Sequence, residues 1–103
     1  MKADFEVRDK RYHAEIRPGD KTEDGKFHLY SVSVGGQNGA VEGTLKITPQ
    51  AIELAGERAG KEGGSPEEWL ARGCAQSLAA EVLIRKLKPQ FSFIVDHRWV
   101  QEV

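Results

Sequence analysis

Apolar and polar residues alternate through most of the first half of the chain, and the spacing becomes helical in the second half. Ala3, Phe5 and Val7 alternate with Asp4, Glu6 and Arg8, while Tyr12, Ala14 and Ile16 alternate with Arg11, His13, Glu15 and Arg17. A period of two marks half-buried strands. Residues 3–8 and 11–17 are therefore expected to form a hairpin with Asp9-Lys10 as its turn. That register sets Val7 opposite Tyr12 and Phe5 opposite Ala14, and it opposes Arg8 to Arg11. The turn departs from the Asn-Gly or Asp-Gly pair that two-residue hairpins favour. Pro18 to Lys26 is a polar, turn-rich stretch expected to be a mobile loop.

Residues 27–34 and 41–48 predict a second hairpin around Gly35-Gly36-Gln37-Asn38-Gly39. Pairing Val34 with Val41 sets Tyr30 against Leu45 and His28 against Ile47. One face then carries His28, Tyr30, Val32, Val34, Val41, Leu45 and Ile47. The other carries Ser31, Ser33, Glu42, Thr44 and Lys46, the pattern of an antiparallel sheet with one wet face.

Thr48-Pro49 reads as an N-cap and first helical residue, opening a short helix over 49–59 with Ile52, Leu54 and Ala55 on its apolar side. Ser65-Pro66-Glu67-Glu68 opens a second helix running to Leu87, roughly 33 Å long at 1.5 Å per residue. Trp69, Leu70, Cys74, Leu78, Val82, Ile84 and Leu87 spread over about twice the 100° stripe that covering one sheet requires. A second contact must cover the excess, either the short helix or a partner subunit. Gly73, Ser77 and Ala80 form a small-residue groove where another backbone can approach. Pro89 ends the helix. Phe91-Ser92-Phe93-Ile94-Val95 is an apolar strand expected inside the sheet, interrupted by Asp96-His97-Arg98 and resumed at Trp99-Val100.

The length of 103 residues suits one domain spanning 1–103. A net charge of −1 with interspersed signs argues against a nucleic-acid partner, which needs a basic field. Arg85, Lys86, Lys88 and Arg98 with Trp99 and Phe91 remain a local basic patch, read foremost as a helix end and solvated turn. No stretch approaches the ~18 apolar residues of a membrane span, and the charged start lacks a secretory apolar core. With the single cysteine, Cys74, this gives the expectation of a cytoplasmic protein without a membrane partner.

Candidate chemistry is sparse. The Gly35–Gly39 segment joins strands rather than leading into a helix N-terminus, so it reads as a hairpin loop and not as an anion cradle. Cys74 lies mid-helix on the apolar side and reads as packing. His13, His28 and His97 match no zinc spacing. Asp96 and His97 are neighbours on an expected strand and would point to opposite faces, whereas Arg98 and Trp99 are residue types favoured at interfaces.

Together these patterns predict an α+β domain: a four- to five-stranded antiparallel sheet from two N-terminal hairpins and a C-terminal strand, with a short and a long helix on one face. The functional expectation is a non-enzymatic binding or assembly module that self-associates as a homodimer or takes an unidentified protein partner, with no cofactor, metal or catalytic residue. The alternative is a small enzyme or small-molecule-binding domain with a pocket between sheet and long helix. Tyr30, Trp69 and Trp99 would line that pocket, with His28 or His97 as its polar group. The candidate binding residues are thus Tyr30, Trp69, His97, Arg98 and Trp99.

Overall fold

The computed structural model describes residues 1–36 and 39–103. Strands β1 (Lys2–Val7), β2 (Lys10–Lys21), β3 (His28–Gly36) and β4 (Gly39–Ile47) run as an antiparallel meander. Helices α1 (Pro49–Glu62) and α2 (Pro66–Ile84) follow, then β5 (Phe91–Val95) and the short helix α3 (His97–Gln101). The strands lie in the order β1-β2-β3-β4-β5, and one apolar cluster joins the sheet to all three helices. The fold is α+β. Its sheet is mixed rather than wholly antiparallel, because β5 pairs parallel to β4. Two helices separate those strands, and such a crossover carries the chain back to the end of the sheet where β4 began. β5 also lies at the sheet edge rather than inside it.

The second hairpin pairs as its alternation requires, with Val34 opposite Val41, Tyr30 opposite Leu45 and His28 opposite Ile47. Gln37 and Asn38, within the segment weighed as an anion cradle, lie outside the described residues. The first hairpin is displaced by two residues from the expected register, so that Phe5 opposes Tyr12 and Ala3 opposes Ala14. The cause is the turn. Arg8 and Asp9, not Asp9 and Lys10, form it, with φ of 51° and 65°, the left-handed pair whose twist matches a hairpin. Asp tolerates that conformation; Arg bears a steric cost of about 1–2 kcal/mol. The displaced register stacks the Phe5 and Tyr12 rings at 5.1 Å. A two-residue slip leaves every side chain on its face, so Ala14 and Ile16 still point into the core.

The expected loop 18–26 is largely strand, because β2 continues through an irregular stretch to Lys21. The remaining turn is tied by Thr22 N–H donating to the Phe27 carbonyl at 2.9 Å and Lys26 N–H donating to Asp24 Oδ1 at 3.0 Å.

Both helix starts follow their sequence signals. Thr48 Oγ1 accepts from Ala51 N–H at 3.2 Å, and Ser65 Oγ accepts from Glu68 N–H at 3.1 Å. α2 stops at Ile84, short of Leu87, because Arg85 leaves helical geometry and Lys86 turns left-handed at φ 67°. The first three turns of its broad apolar surface are covered within the chain, whereas Leu83 and Ile84 in the last turn stay exposed. Trp69, Leu70, Ala71, Gly73, Cys74, Ser77 and Leu78 are buried between the sheet, α1 and α3. Gly73 admits the backbone of α3: a Cβ there would stand 2.9 Å from Val100 Cγ2 and 3.3 Å from Val100 N. Trp99 and Val100 therefore belong to a helix rather than to a continued strand. Asp96 caps that helix, accepting from Arg98 N–H at 3.0 Å, and Val100 enters the core.

Candidate functional site

Arg58 of α1 fixes the position of α3. Its Nη1 donates to the carbonyls of Val100 at 2.8 Å and Gln101 at 3.3 Å, and also to that of Val103. The Val100 and Gln101 carbonyls are ones that the C-terminus of α3 leaves without intrahelical partners. Its Nε meets Glu62 at 2.7 Å, and its guanidinium lies 4.1 Å from the Trp69 ring centre. The Glu62 carboxylate raises the Arg58 pKa, and Arg58 in turn holds Glu62 below the usual carboxylate range.

Held in this way, α3 sets Trp99 as the half-buried wall of a groove of about 390 Å³. Val7, Ala79, Ala80 and Leu83 supply its apolar lining, and Glu6, Arg8 and Gln76 its polar rim. Arg98 shares a second shallow cleft with Trp99 and Glu102. Its guanidinium is engaged by Asp96 at 2.8 Å and thereby holds the Asp96 carboxyl below the usual range.

The other expected site residues lie elsewhere. Trp69 is buried, with Nε1 donating to the Gly63 carbonyl at 2.8 Å and the Arg72 guanidinium 4.6 Å from its ring centre. Tyr30 is half-buried beneath α2, where burial raises its phenol pKa and nearby Cys74 and Glu67 push the same way. Neither residue lines the clefts that take Trp99. His97 is exposed in a third groove with Gln50, Glu53, Leu54, Glu57 and Gln101. His28 pairs with Ile47 and Lys21 at the end of β3. Trp99 and Arg98 are thus brought together, while Tyr30, Trp69 and the two histidines do not converge on them.

Cys74 is fully buried, and burial alone pushes its thiol up to about 12, so it stays protonated at neutral pH. His13 Nδ1 lies 2.8 Å from Asp4 Oδ1 in an exposed cross-strand pair. Among the described residues, no three of His, Cys, Asp and Glu converge as metal ligands.

Two surface features stand out. The first is the edge strand β5, with Ile94 50% exposed. The second is the end of the sheet where the β1–β2 turn, the mouth of the β3–β4 hairpin and the exit of α2 meet. Lys10 and Lys86 flank a cleft of about 270 Å³ floored by Tyr12, Val34, Val41, Val82 and Leu87. Arg8 lines the Trp99 groove beside Leu83. Sequence spacing did not reveal Arg58, and of this gathering of cations it showed only Arg85, Lys86 and Lys88, not that Arg8 and Lys10 join them. The first acts through contacts more than 40 residues distant in sequence, |i−j| of 42 to 45, and the second exists only once the turns are juxtaposed. Comparison of the chain with protein-family models, curated proteins and solved structures gives no match. Among the described residues, no helix is long and apolar enough to cross a membrane.

Proposed function

We propose that this chain is a non-enzymatic assembly module that self-associates through the free edge of β5. The observation carrying this is the composition of that edge. Phe91-Ser92-Phe93-Ile94-Val95 contains no charged residue and no proline, the two devices that usually prevent edge strands from pairing. The opposite edge, β1, carries Lys2, Asp4 and Glu6 on its exposed face. β5 is also held firmly enough to act as a template. The Phe91 ring fills the space over Gly43, where a Cβ would meet it at 2.5 Å, and it stacks with Phe93 at 5.8 Å. Two β5 strands related by a twofold axis would pair antiparallel and join two five-stranded sheets into one. Of the two grounds for association, the wide helix surface and an open sheet edge, the edge carries the reading, because the sheet, α1 and α3 bury α2 from Trp69 to Leu78.

Size-exclusion chromatography with light scattering at tens of micromolar tests this. The expected mass is twice 11.4 kDa. Replacing both outer-face residues of the strand, Ser92→Lys with Ile94→Lys, should give a folded monomer of unchanged circular dichroism. A monodisperse wild-type monomer would refute self-association.

A further inference from the structure

The end of the sheet at which α2 exits brings together two properties, unpaired cations and exposed aliphatic side chains. Arg8, Lys10, Arg85, Lys86 and Lys88 are all exposed there, with Asp9 among them. Among the described residues, none of the five cations has a carboxylate within ion-pair distance. The chain as a whole carries −1, whereas at this end the five cations outnumber Asp9, Glu6 on the rim of the groove with Arg8 and Leu83, and the half-buried Glu81 one turn before Arg85. Leu83 and Ile84, 52% and 72% exposed, project from the last turn of α2 beside these cations. Among the described residues, they are two of the three large apolar side chains left exposed.

The backbone adds an independent observation. All four non-glycine residues with positive φ in the described chain, Arg8, Asp9, Lys86 and Gln90, lie at this end. Arg8 occupies a hairpin turn position that favours Asn or Gly, and Lys86 the helix-terminating position that favours Gly. Cations therefore stand at two positions where an uncharged residue would be less strained. Strain retained in this way is characteristic of a surface with a use.

We infer that this end docks on an anionic lipid surface, with the cations at the headgroups and Leu83 and Ile84 entering the boundary below them. Charge complementarity selects an anionic partner. The paired aliphatics select lipid over nucleic acid, whose phosphates would engage the cations but leave Leu83 and Ile84 in water. The residues stand on protruding turns, and a headgroup layer accepts such a shape without a complementary pocket. Docking of this kind is peripheral and requires no spanning helix. It is independent of pairing through β5, so either can fail alone.

The experiment is co-sedimentation with vesicles of phosphatidylcholine containing about one-third phosphatidylglycerol, at low and high salt, with pure phosphatidylcholine as reference. Binding is expected only to the anionic vesicles and should weaken as salt rises. The Arg8→Asn, Lys86→Gly variant should melt at a higher temperature than wild type yet bind about fivefold more weakly per cation removed. A purely structural role could not produce that divergence. Leu83→Ser with Ile84→Ser, both exposed and foldable, should lose about tenfold in binding. Failure to bind anionic vesicles, or equal binding by the variants, would overturn the proposal. So would tight, salt-sensitive binding to a mixed oligonucleotide that ignores the Leu83 and Ile84 substitutions, which would assign the cations to nucleic acid.

Discussion

Replacing Gly73 with alanine should give no stability or cost some, although the same change at Gly56 should stabilise the protein. Both glycines lie inside helices, where alanine is favoured by about 1 kcal/mol. Their surroundings differ. Nothing lies within 4 Å of a Cβ built on Gly56. A Cβ on Gly73 would meet Val100 Cγ2 at 2.9 Å, Val100 N at 3.3 Å and Trp99 C at 3.4 Å. Two of those atoms are α3 backbone, which cannot rotate aside as a side chain can. α3 is also held by Arg58 through the Val100 and Gln101 carbonyls. Forcing a methyl group into a filled site costs about 1–3 kcal/mol. That cost matches or exceeds the propensity gain, leaving Gly73→Ala neutral to about 2 kcal/mol destabilising against about 1 kcal/mol of stabilisation for Gly56→Ala. At this size the two variants should melt several degrees apart, since 1 kcal/mol corresponds to about 4–8 °C. Thermal unfolding followed by circular dichroism reads the difference. Hydrogen exchange should quicken over residues 97–101 in Gly73→Ala only. Equal stabilisation by both alanines would show that α3 does not rest on Gly73.

Arg58→Ala should lower the melting temperature and expose residues after Val100 to protease, and Arg58→Lys should fail to rescue, because an ammonium cannot reproduce the planar fork that meets several carbonyls and Glu62. Asp96 contributes to acid stability with a defined sign. Its carboxyl is held below 3.8 by the Arg98 hydrogen bond, so its stabilisation is present above pH 3.8 and lost as pH falls through the lower folded value. Asp96→Asn keeps a capping side chain but should flatten that part of the melting temperature against pH; an unchanged profile would count against the pair. The Cys74 thiol should resist a disulfide reagent at pH 8 in the native protein and react fully in denaturant, because burial keeps it protonated and inaccessible.

The sequence made some of these elements legible and others not, for identifiable reasons. The second hairpin could be read to the residue, because the glycine-rich segment between Val34 and Val41 sets those two residues opposite each other, and the alternation then keeps Val32, Val34, Leu45 and Ile47 on one face. The first hairpin was legible in its faces but not its register, since a two-residue slip preserves every face and an Arg in a left-handed turn is locally disfavoured. The direction of β5 depends on the path through α1 and α2, which no local pattern encodes. A clue lay at Gly43, a gap in an otherwise apolar face that the Phe91 ring fills. Trp99-Val100 was too short for its period to tell strand from helix, and the Asp96 cap decided it. Of the expected binding residues, Trp99 and Arg98 shared a cleft because both ride on α3. Trp69 lies in the core and Tyr30 packs against it, away from that cleft.

The parallel placement of β5 bears on the order in which the molecule assembles. β1 to β4 are contiguous neighbours closed by short turns, so they can zip together from local encounters. β5 must wait until both helices have spanned the gap, and it then joins a template that is already complete on its β4 side. Until it arrives, the margin of β4 is vacant and equally open to the last strand of another copy. Concentrated refolding therefore favours exchanged pairs, while dilution favours each chain completing its own sheet.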